Sequence, residues 1–388
     1  MKKSTLFITL GLLAACSGKP KETKVSLENK EIETEIPVVD LASVINQQVP
    51  DTFTWNSIAK NIQLIPISTS NKTLMGVSRG VIYMGEDYYI IAEYQTQTLY
   101  RVDMNGKIQK AFRHVGNGPG EYVYLTRISF NPEDSTIQVF DNGNQKRIFY
   151  DVNGNLRKEI SLKDKEINSP LLIKDNYMVC RGNPESPYQL YITDNDLNIR
   201  QSLCPFDSTL TIWEKAATHL QTNRCNNMDM LLFNHAPSDS VFTVTDKGLT
   251  PLFILKKGKY AIPSTEVKNF INLVKQGDPH ILSLQIHSIP GYYLICYLQN
   301  QQYREEIWRK SDNQIISRFI STNNEYGYPV TLPSGKTIRV SSSNMYNNGN
   351  KIALFIPAED VTGEIEGVKE DDNPVLLIMD IVYSFLAV

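Results

Sequence analysis

Long apolar runs are scarce in this sequence. The single candidate, Leu6–Leu13, is broken by Thr9 and Gly11 and falls well short of the roughly 20 residues a membrane-crossing helix needs. A basic excess is also lacking. There are 39 Lys and Arg against 42 Asp and Glu, a formal charge of -3, which excludes a protein that tracks nucleic-acid phosphates. The chain has only 5 Cys and 5 His, with no Cys-x-x-Cys and no His-Glu-x-x-His, so the common zinc motifs are absent. No Gly-x-Ser-x-Gly occurs, which removes the strand-to-helix nucleophile elbow. Tyr, at 20, and Phe, at 14, are plentiful. With hydrophobic residues at 41%, a sizeable core can form and wholesale disorder is excluded.

The N-terminus reads as an address. Lys2 and Lys3 precede the short apolar run, which ends in Leu13-Ala14-Ala15-Cys16. A basic start, a short hydrophobic stretch and small residues before a cysteine resemble a bacterial lipobox. Residues 1–15 are then a signal peptide and Cys16 carries the lipid; the alternative is a plain secretory signal with an incidental cysteine. Acyl chains would anchor the chain in a lipid bilayer, each buried methylene contributing roughly 0.8 kcal/mol. Residues 16–54, rich in Lys, Glu, Thr and Val with no packing period through about Pro50, are expected to form a flexible tether.

From Ile62 onward, aromatic and β-branched residues alternate with polar ones and turn residues intervene every 8 to 12 positions or so. Asp103-Met104-Asn105-Gly106, Asp151-Val152-Asn153-Gly154, Asp194-Asn195-Asp196, Asp246-Lys247-Gly248 and Asp312-Asn313 recur about every 45–65 residues. An aromatic precedes each: Tyr100, Phe149, Tyr191, Phe242 and Trp308. Each marks a strand entering a tight hairpin, where Asn-Gly and Lys-Gly supply positive φ. The repeating unit has four strands. The first runs Arg79–Met84, Tyr88–Glu93, Thr98–Asp103 and Lys107–Arg113, and the second Leu125–Asn131, Thr136–Asp141, Lys146–Asp151 and Leu156–Leu162. Further units fall at about 169–206, 218–257 and 280–320. The last, with strands near Ile338–Ser342, Lys351–Pro357 and Val375–Ile381, lacks an outer strand that Asn61–Ile67 supplies. The expectation is an all-β, six-bladed β-propeller over 55–388, its ring closed by an N-terminal strand. Ser208–Leu220 and Ser264–Gln276 read as short helical insertions, and Glu359–Asn373 as an acidic loop.

Specific runs carry a resemblance: Gly116-Asn117-Gly118-Pro119-Gly120-Glu121-Tyr122, Leu99-Tyr100-Arg101-Val102-Asp103, Asp239-Ser240-Val241-Phe242 with Gly248-Leu249-Thr250-Pro251, and Asn373-Pro374-Val375-Leu376. Over about 55–388 the chain resembles the six-bladed β-propeller lipoproteins of Bacteroidetes, which are distantly similar to NHL-repeat propellers. The departures lie in the inserts and the last two units. The resemblance implies a fold and an outer-membrane address, and no particular reaction. Ser17-Gly18-Lys19-Pro20-Lys21 lacks the acidic cluster that similar lipoproteins use for surface export. That favours the periplasmic side over the cell surface.

Candidate chemistry is thin. The glycines of 116–120 precede a strand-like run rather than a helix, so they read as a tight crossover between blades and not as a phosphate cradle. Arg113, His114, Glu121 and Tyr122 flank that crossover and are the ligand-binding candidates. Asp194–Asn198 begins like an EF-hand loop but has Ile199 where Gly is required and Pro205 where Glu is required. His280 and His287 fall on opposite faces of a strand, so they share no zinc. Spacing leaves open a channel Ca²⁺ assembled from different blades, of the kind six-bladed lactonases use; no other cofactor is expected. Glu305-Glu306 and Asp371-Asp372 read as surface charge. Cys180, Cys204, Cys225 and Cys296 read as buried free thiols, although an oxidising compartment would permit disulfides. The Tyr surplus suits blade packing and glycan or peptide stacking alike.

The leading expectation is a lipid-anchored, monomeric binding or scaffold module for a glycan, a peptide or an envelope protein. The alternative is a lactonase-like hydrolase or lyase with a metal in the channel.

Overall fold

A computed structural model describes residues 35–382, apart from 71–72, 77–78, 126, 164, 175–176, 183–184, 207–220, 225–230, 235–237, 264–265, 267–269, 322–325 and 343–344. The chain is an all-β propeller with few helices. Five sheets have four antiparallel strands each. The first holds β3 (Arg79–Met84), β4 (Tyr88–Glu93), β5 (Thr98–Asp103) and β6 (Ile108–Phe112); the second, β7 (Arg127–Asn131), β8 (Thr136–Asp141), β9 (Lys146–Asp151) and β10 (Leu156–Ser161). The third holds β11 (Ile167–Lys174), β12 (Tyr177–Gly182), β13 (Tyr188–Thr193) and β14 (Ile199–Pro205). Another is built from β19 (Leu282–Ile289), β20 (Tyr292–Gln299), β21 (Gln302–Arg309) and β22 (Gln314–Ile320). The closing sheet joins the two ends of the body: β2 (Ala59–Pro66) pairs with β27 (Val375–Ile381), followed by β26 (Lys351–Ile356) and β25 (Tyr346–Asn347).

The remaining sheet departs from the expected unit. To β15 (Gln221–Arg224), β16 (Leu231–Asn234), β17 (Ser240–Thr245) and β18 (Gly248–Leu255) it adds a fifth, parallel strand, β1 (Val38–Val39).

Burial grades across each blade. In β4 and β8 almost every side chain is buried, whereas β10 and the middle of β6 are exposed. The two middle strands are sandwiched between neighbouring blades, so both of their faces are interior. The repeated aromatics sit on the third strand of each sheet, and Tyr100, Phe149, Tyr191 and Trp308 are buried there.

The turns after β5, β9 and β13 are built alike. Asp151 Oδ1 accepts from the N–H groups of Asn153 and Asn155, both at 2.9 Å, and Oδ2 from the Asn155 amide. Asp103 and Asp194 do the same in their own sheets. Gly106, Gly154, Leu197, Gly248 and Asn313 take positive φ at the matching place. Each turn then meets the preceding blade. Arg101 donates to Asn153 Oδ1, Arg147 to the Asn195 carbonyl, and Gln201 to the Asp246 carbonyl. A second lock sits at the end of the second strand. Glu93 caps its own turn, Asp141 accepts from Val123 and Tyr124 in the incoming crossover, and Gln299 donates to Pro279 in its own crossover.

Three expectations need correction. The tether does not extend to residue 54. From Ile36 the chain packs: β1 pairs with β18, α1 (Leu41–Val44) follows, and Val39, Leu41 and Ile45 are buried. This strap continues across the next sheet. Arg318 donates to the carbonyls of Val44 and Gln47, Arg304 to that of Ile45, and Ser317 Oγ to that of Pro50. The strap ends where Asn56 exchanges two hydrogen bonds with Thr331. Ile338–Ser342 is not a blade strand either. β24 (Thr337–Val340) pairs only with β23 (Tyr328–Thr331), a hairpin packed over the closing sheet, and the inner strand is β25. Last, Glu305 and Glu306 are not surface charge. They point to opposite faces of β21, but β21 is a middle strand, so both faces are interior.

Of the two helical expectations, Ser208–Leu220 lies outside the described residues. Within Ser264–Gln276 a helix, α2, covers Phe270–Gln276. The acidic loop holds a single 3₁₀ turn, Ala358–Val361.

Buried Glu306 is fully engaged. Tyr297, Trp308 and Arg318 donate to it at 2.6, 2.8 and 2.7 Å. Breaking a buried pair from one side leaves an uncompensated charge. Arg318→Met should therefore lower the urea unfolding free energy by about 3–5 kcal/mol. Arg309→Ala, which removes a half-exposed pair with Asp312, should cost about 1 kcal/mol or less. Equal effects for the two variants would contradict the burial argument.

The turn aspartates carry a pH signature. Burial acts to raise the carboxyls of Asp103, Asp151 and Asp194, but the hydrogen bonds they accept outweigh it and hold them below the ordinary value. A depressed folded value gives stability that is present above the unfolded carboxylate range, about 4, and lost as pH falls through the folded value. Asp151→Asn should melt below the wild type at pH 7, with the gap closing towards about pH 3. A gap that persists in acid would reject the carboxylate as its source.

Candidate functional site

The crossover from β6 to β7 holds all four ligand candidates, and the structure employs them in closing the blade. Tyr122 is fully buried; its hydroxyl donates to the Gln97 carbonyl at 2.8 Å and accepts from the His114 N–H. The His114 ring stacks on Tyr150, centroids 5.2 Å apart, and Nε2 donates to the Gly154 carbonyl at 2.9 Å. Glu121 caps Gly118 N–H at 2.8 Å, and its carboxylate occupies the space a Cβ at Gly116 would need. Arg113 donates to the Thr96 carbonyl at 2.8 Å.

The rest of the crossover climbs over the second sheet from outer to inner strand. Glu159 accepts from Gly120, the Tyr150 hydroxyl donates to the Gly120 carbonyl, and Lys146 donates to the Gly118 carbonyl. Burial raises the Tyr150 phenol well above its ordinary value. Geometry thus gives these residues a packing role.

A cleft of about 840 Å³ opens elsewhere, between the first, second and closing sheets. One wall is the turn joining β3 to β4. Gly85 has no side chain because the Tyr83 ring lies 2.6 Å from where a Cβ would stand. Glu86 and Asp87 follow, both exposed, and Tyr88 closes the turn through its carbonyl, which accepts from Gly85 N–H at 3.1 Å. Tyr83 leans on Phe130, centroids 4.1 Å apart, and on Tyr88 at 5.9 Å. Arg101 sits over the Tyr88 ring at 5.4 Å. Burial, with Tyr88, Glu86 and Asp87 nearby, raises the Tyr83 phenol.

The opposite wall is polar. Gln63, Asn350 and Lys351 come from the closing sheet, and Asn348 donates to the Met84 carbonyl at 3.4 Å. The floor is made by the first and closing sheets, through Tyr89 and Ile378. An aromatic pair, two free carboxylates and a wall of amides can bind a hydroxyl-rich ligand that has an apolar face.

Sequence reasoning missed Tyr83, Glu86, Asp87 and Tyr88. The available signal was an acidic pair in a hairpin turn with a tyrosine on each side.

Other candidates fall into place without forming a site. Cys16 and Cys225 lie outside the described residues. Cys180, Cys204 and Cys296 are free thiols, which burial pushes up to about 11, 11 and 12. Cys180 and Cys204 occupy the second and fourth strands of one sheet, as expected. His287 is buried, which drives it down to about 4, while His280 pairs with Asp278. Among the described residues no three His, Cys, Asp or Glu side chains are grouped so as to hold a metal ion. Among them, too, no helix is long and apolar enough to cross a membrane.

Comparison with known proteins follows the same lines. No curated protein matches the sequence. Among solved structures, a Bacteroides fragilis NCTC 9343 protein whose name calls it a putative exported protein superposes with a TM-score of 0.63 at 14% identity, covering 86% of this chain and 98% of its own. A DUF4221-family member from Bacteroides vulgatus ATCC 8482 has a TM-score of 0.48 at 11% identity, covering 84% of this chain and 97% of its own. A catalytically inactive virginiamycin B lyase variant from Staphylococcus aureus, with quinupristin, has 0.43 at 12%, covering 83% and 100%. The first likeness shows a shared fold; the other two are too distant to carry an argument. A sequence profile described as a domain of unknown function, DUF4934, matches residues 36–380, from the start of the strap to the last strand. The chain belongs to the DUF4934 family.

Proposed function

We propose that this protein is a lipid-anchored envelope module that binds a glycan, without catalysis, in the cleft between the first, second and closing sheets. The observation that carries the reading is the pairing of Tyr83 and Tyr88 at a cleft of about 840 Å³ whose facing wall is rich in amides. Aromatic rings stack on the apolar face of a sugar, and amides and carboxylates meet its hydroxyls. A supporting fold is rigid there, because both tyrosines are packed against Phe130.

The address rests on the lipobox at Cys16, on the name of the Bacteroides fragilis relative, and on the absence from the sequence of an acidic export cluster after Cys16. We place the protein in the outer membrane facing the periplasm, as a monomer. We count the ring as six blades, with the five-stranded sheet as one of them. Its four antiparallel strands follow one another as in the neighbouring units, and β1 is an addition from the strap.

Two experiments test this. On a glycan array the mature protein should capture a defined set of oligosaccharides, and Tyr88→Ala should weaken that binding by about tenfold or more at a temperature where its circular dichroism shows it still folded. Signal that survives Tyr88→Ala unchanged would move the site elsewhere, and an empty array would reject the reading. Metabolic labelling with a fatty-acid probe should mark the wild type and leave Cys16→Ala unmarked; equal labelling would reject the anchor.

A further inference from the structure

Four carboxyl groups are buried among the described residues: Glu93, Asp141, Glu305 and Glu306. Glu93 and Asp141 accept backbone N–H groups of turns and crossovers, and Glu306 pairs with Arg318 at 2.7 Å. Glu305 is held differently. Its donors are Ser341 Oγ at 2.7 Å, Ser342 Oγ at 2.8 Å and Ser342 N–H at 3.3 Å. All three are neutral. All three come from the short link between β24 and β25, the inner strand of the closing sheet. Among the described residues no cation pairs with this carboxyl.

A thiol lies behind the link. Cys296, fully buried, stands opposite Glu305 on β20, and its Sγ is 3.2 Å from Ser342 Oγ. Ser342 gives its hydroxyl proton to Glu305, so the thiol donates to Ser342.

The other groups around Glu305 supply no compensating charge. Tyr303 lies on the same face of β21, and Tyr328 on β23 donates its hydroxyl to the Glu305 carbonyl. Burial raises both phenols and pushes the Cys296 thiol up to about 12, so all three are neutral where a carboxyl titrates. Phe319 is the partner on β22, and the closing sheet adds apolar side chains such as Leu354 and Leu377. Arg339 on β24 is directed to Asp51 at 3.0 Å and to the Gly327 carbonyl, and Arg318 serves Glu306 on the other face of β21. His287 on β19, driven down to about 4 by burial, is neutral above that. Burial pushes the Glu305 carboxyl above its ordinary value, and the serine hydrogen bonds offset only part of that effect.

We infer that Glu305 is a pH-sensitive latch: protonated, it holds the Ser341-Ser342 link down on the β19–β22 sheet, and ionised, it lets the link lift. A carboxylate in an apolar seam without a counter-cation is unfavourable, and lifting the link admits water to it. A raised folded value contributes stability that is fully present below the unfolded carboxyl range, about 4, and is lost as pH rises through the folded value. Acid therefore tightens the joint between the β19–β22 sheet and the closing sheet, and neutral pH loosens it.

Thiol labelling of the full mature protein in detergent tests this, because Cys296 is reached only when the link lifts. A dipyridyl disulfide has a good leaving group and labels thiols in acid as well as at neutral pH. Peptide mass spectrometry then reads Cys296 against Cys180, a fully buried thiol in another sheet. Between about pH 4.5 and about pH 7.5 the Cys296-to-Cys180 ratio should rise about threefold or more in the wild type. Glu305→Gln keeps the shape without the charge, and its ratio should stay level to within about 1.5-fold. Ser342→Ala removes a donor to the carboxylate and should carry the rise to higher pH, whatever its effect on the starting ratio. Unchanged Cys180 labelling shows that each variant keeps its fold. A level ratio in the wild type would overturn the latch. The same rise in Glu305→Gln would assign the response to another group and overturn it too. If Glu305→Gln does not fold, Ser342→Ala decides: a rise at the wild-type pH would overturn the role of this carboxyl.

Discussion

The carboxylate of Asp151 gathers the N–H groups of Asn153 and Asn155 and holds Gly154 in a left-handed conformation. Its geometry presents the turn to the preceding blade, where Arg101 reaches Asn153 and His114 reaches the Gly154 carbonyl. The same arrangement recurs at Asp103, whose Gly106 carbonyl accepts from Ser68, and at Asp194, where Arg147 meets the Asn195 carbonyl. Twisted sheets in a ring touch mainly through side chains, so a polar link at the outer turns fixes the angle between neighbours that apolar packing leaves soft. The position of every loop around the ring, the cleft included, depends on those angles.

The strap from Ile36 to Ile58 is the second constraint. It lays one strand on the five-stranded sheet, gives its carbonyls to Arg304 and Arg318 on the next, and pairs with the β23–β24 hairpin before entering the closing sheet as β2. Closure is thus made twice, by β2 against β27 and by the strap across the outside. Arg318, paired with Glu306 and donating to the strap carbonyls, ties the strap to the blade interior.

Much of the architecture was legible in the sequence because hairpin chemistry is local. An Asp-led turn after an aromatic specifies a hairpin whatever surrounds it, and five such turns, two of them Asp-x-Asn-Gly, set the repeat. Strands β3 to β10 follow from alternation and turn residues alone. What failed was nonlocal. Nothing in Val39, Leu41 or Ile45 announces that they will be covered, because the covering groups lie more than two hundred residues away on β18 and β22. Glu305-Glu306 was misjudged for the same reason: adjacent charges look solvated unless the strand is known to sit between two blades. Tyr122 and His114 were read as ligand candidates, and their spacing could not tell packing from binding. The cleft stayed hidden because its walls come from Tyr83–Tyr88, Pro132–Ser135 and Asn348–Lys351, which only ring closure brings together.

The strap and the turn locks make one cooperative body from Ile36 onward. Native-state hydrogen exchange measures this directly. The N–H groups of Ile254 and Lys256, which donate to Pro37 and Val39, and that of Arg318, which donates to Pro50, should exchange through the same global opening as the middle strands β4, β8 and β20. Exchange of those three amides through a separate, low-energy opening, with the middle strands still protected, would show the strap to be an accessory and would contradict the account.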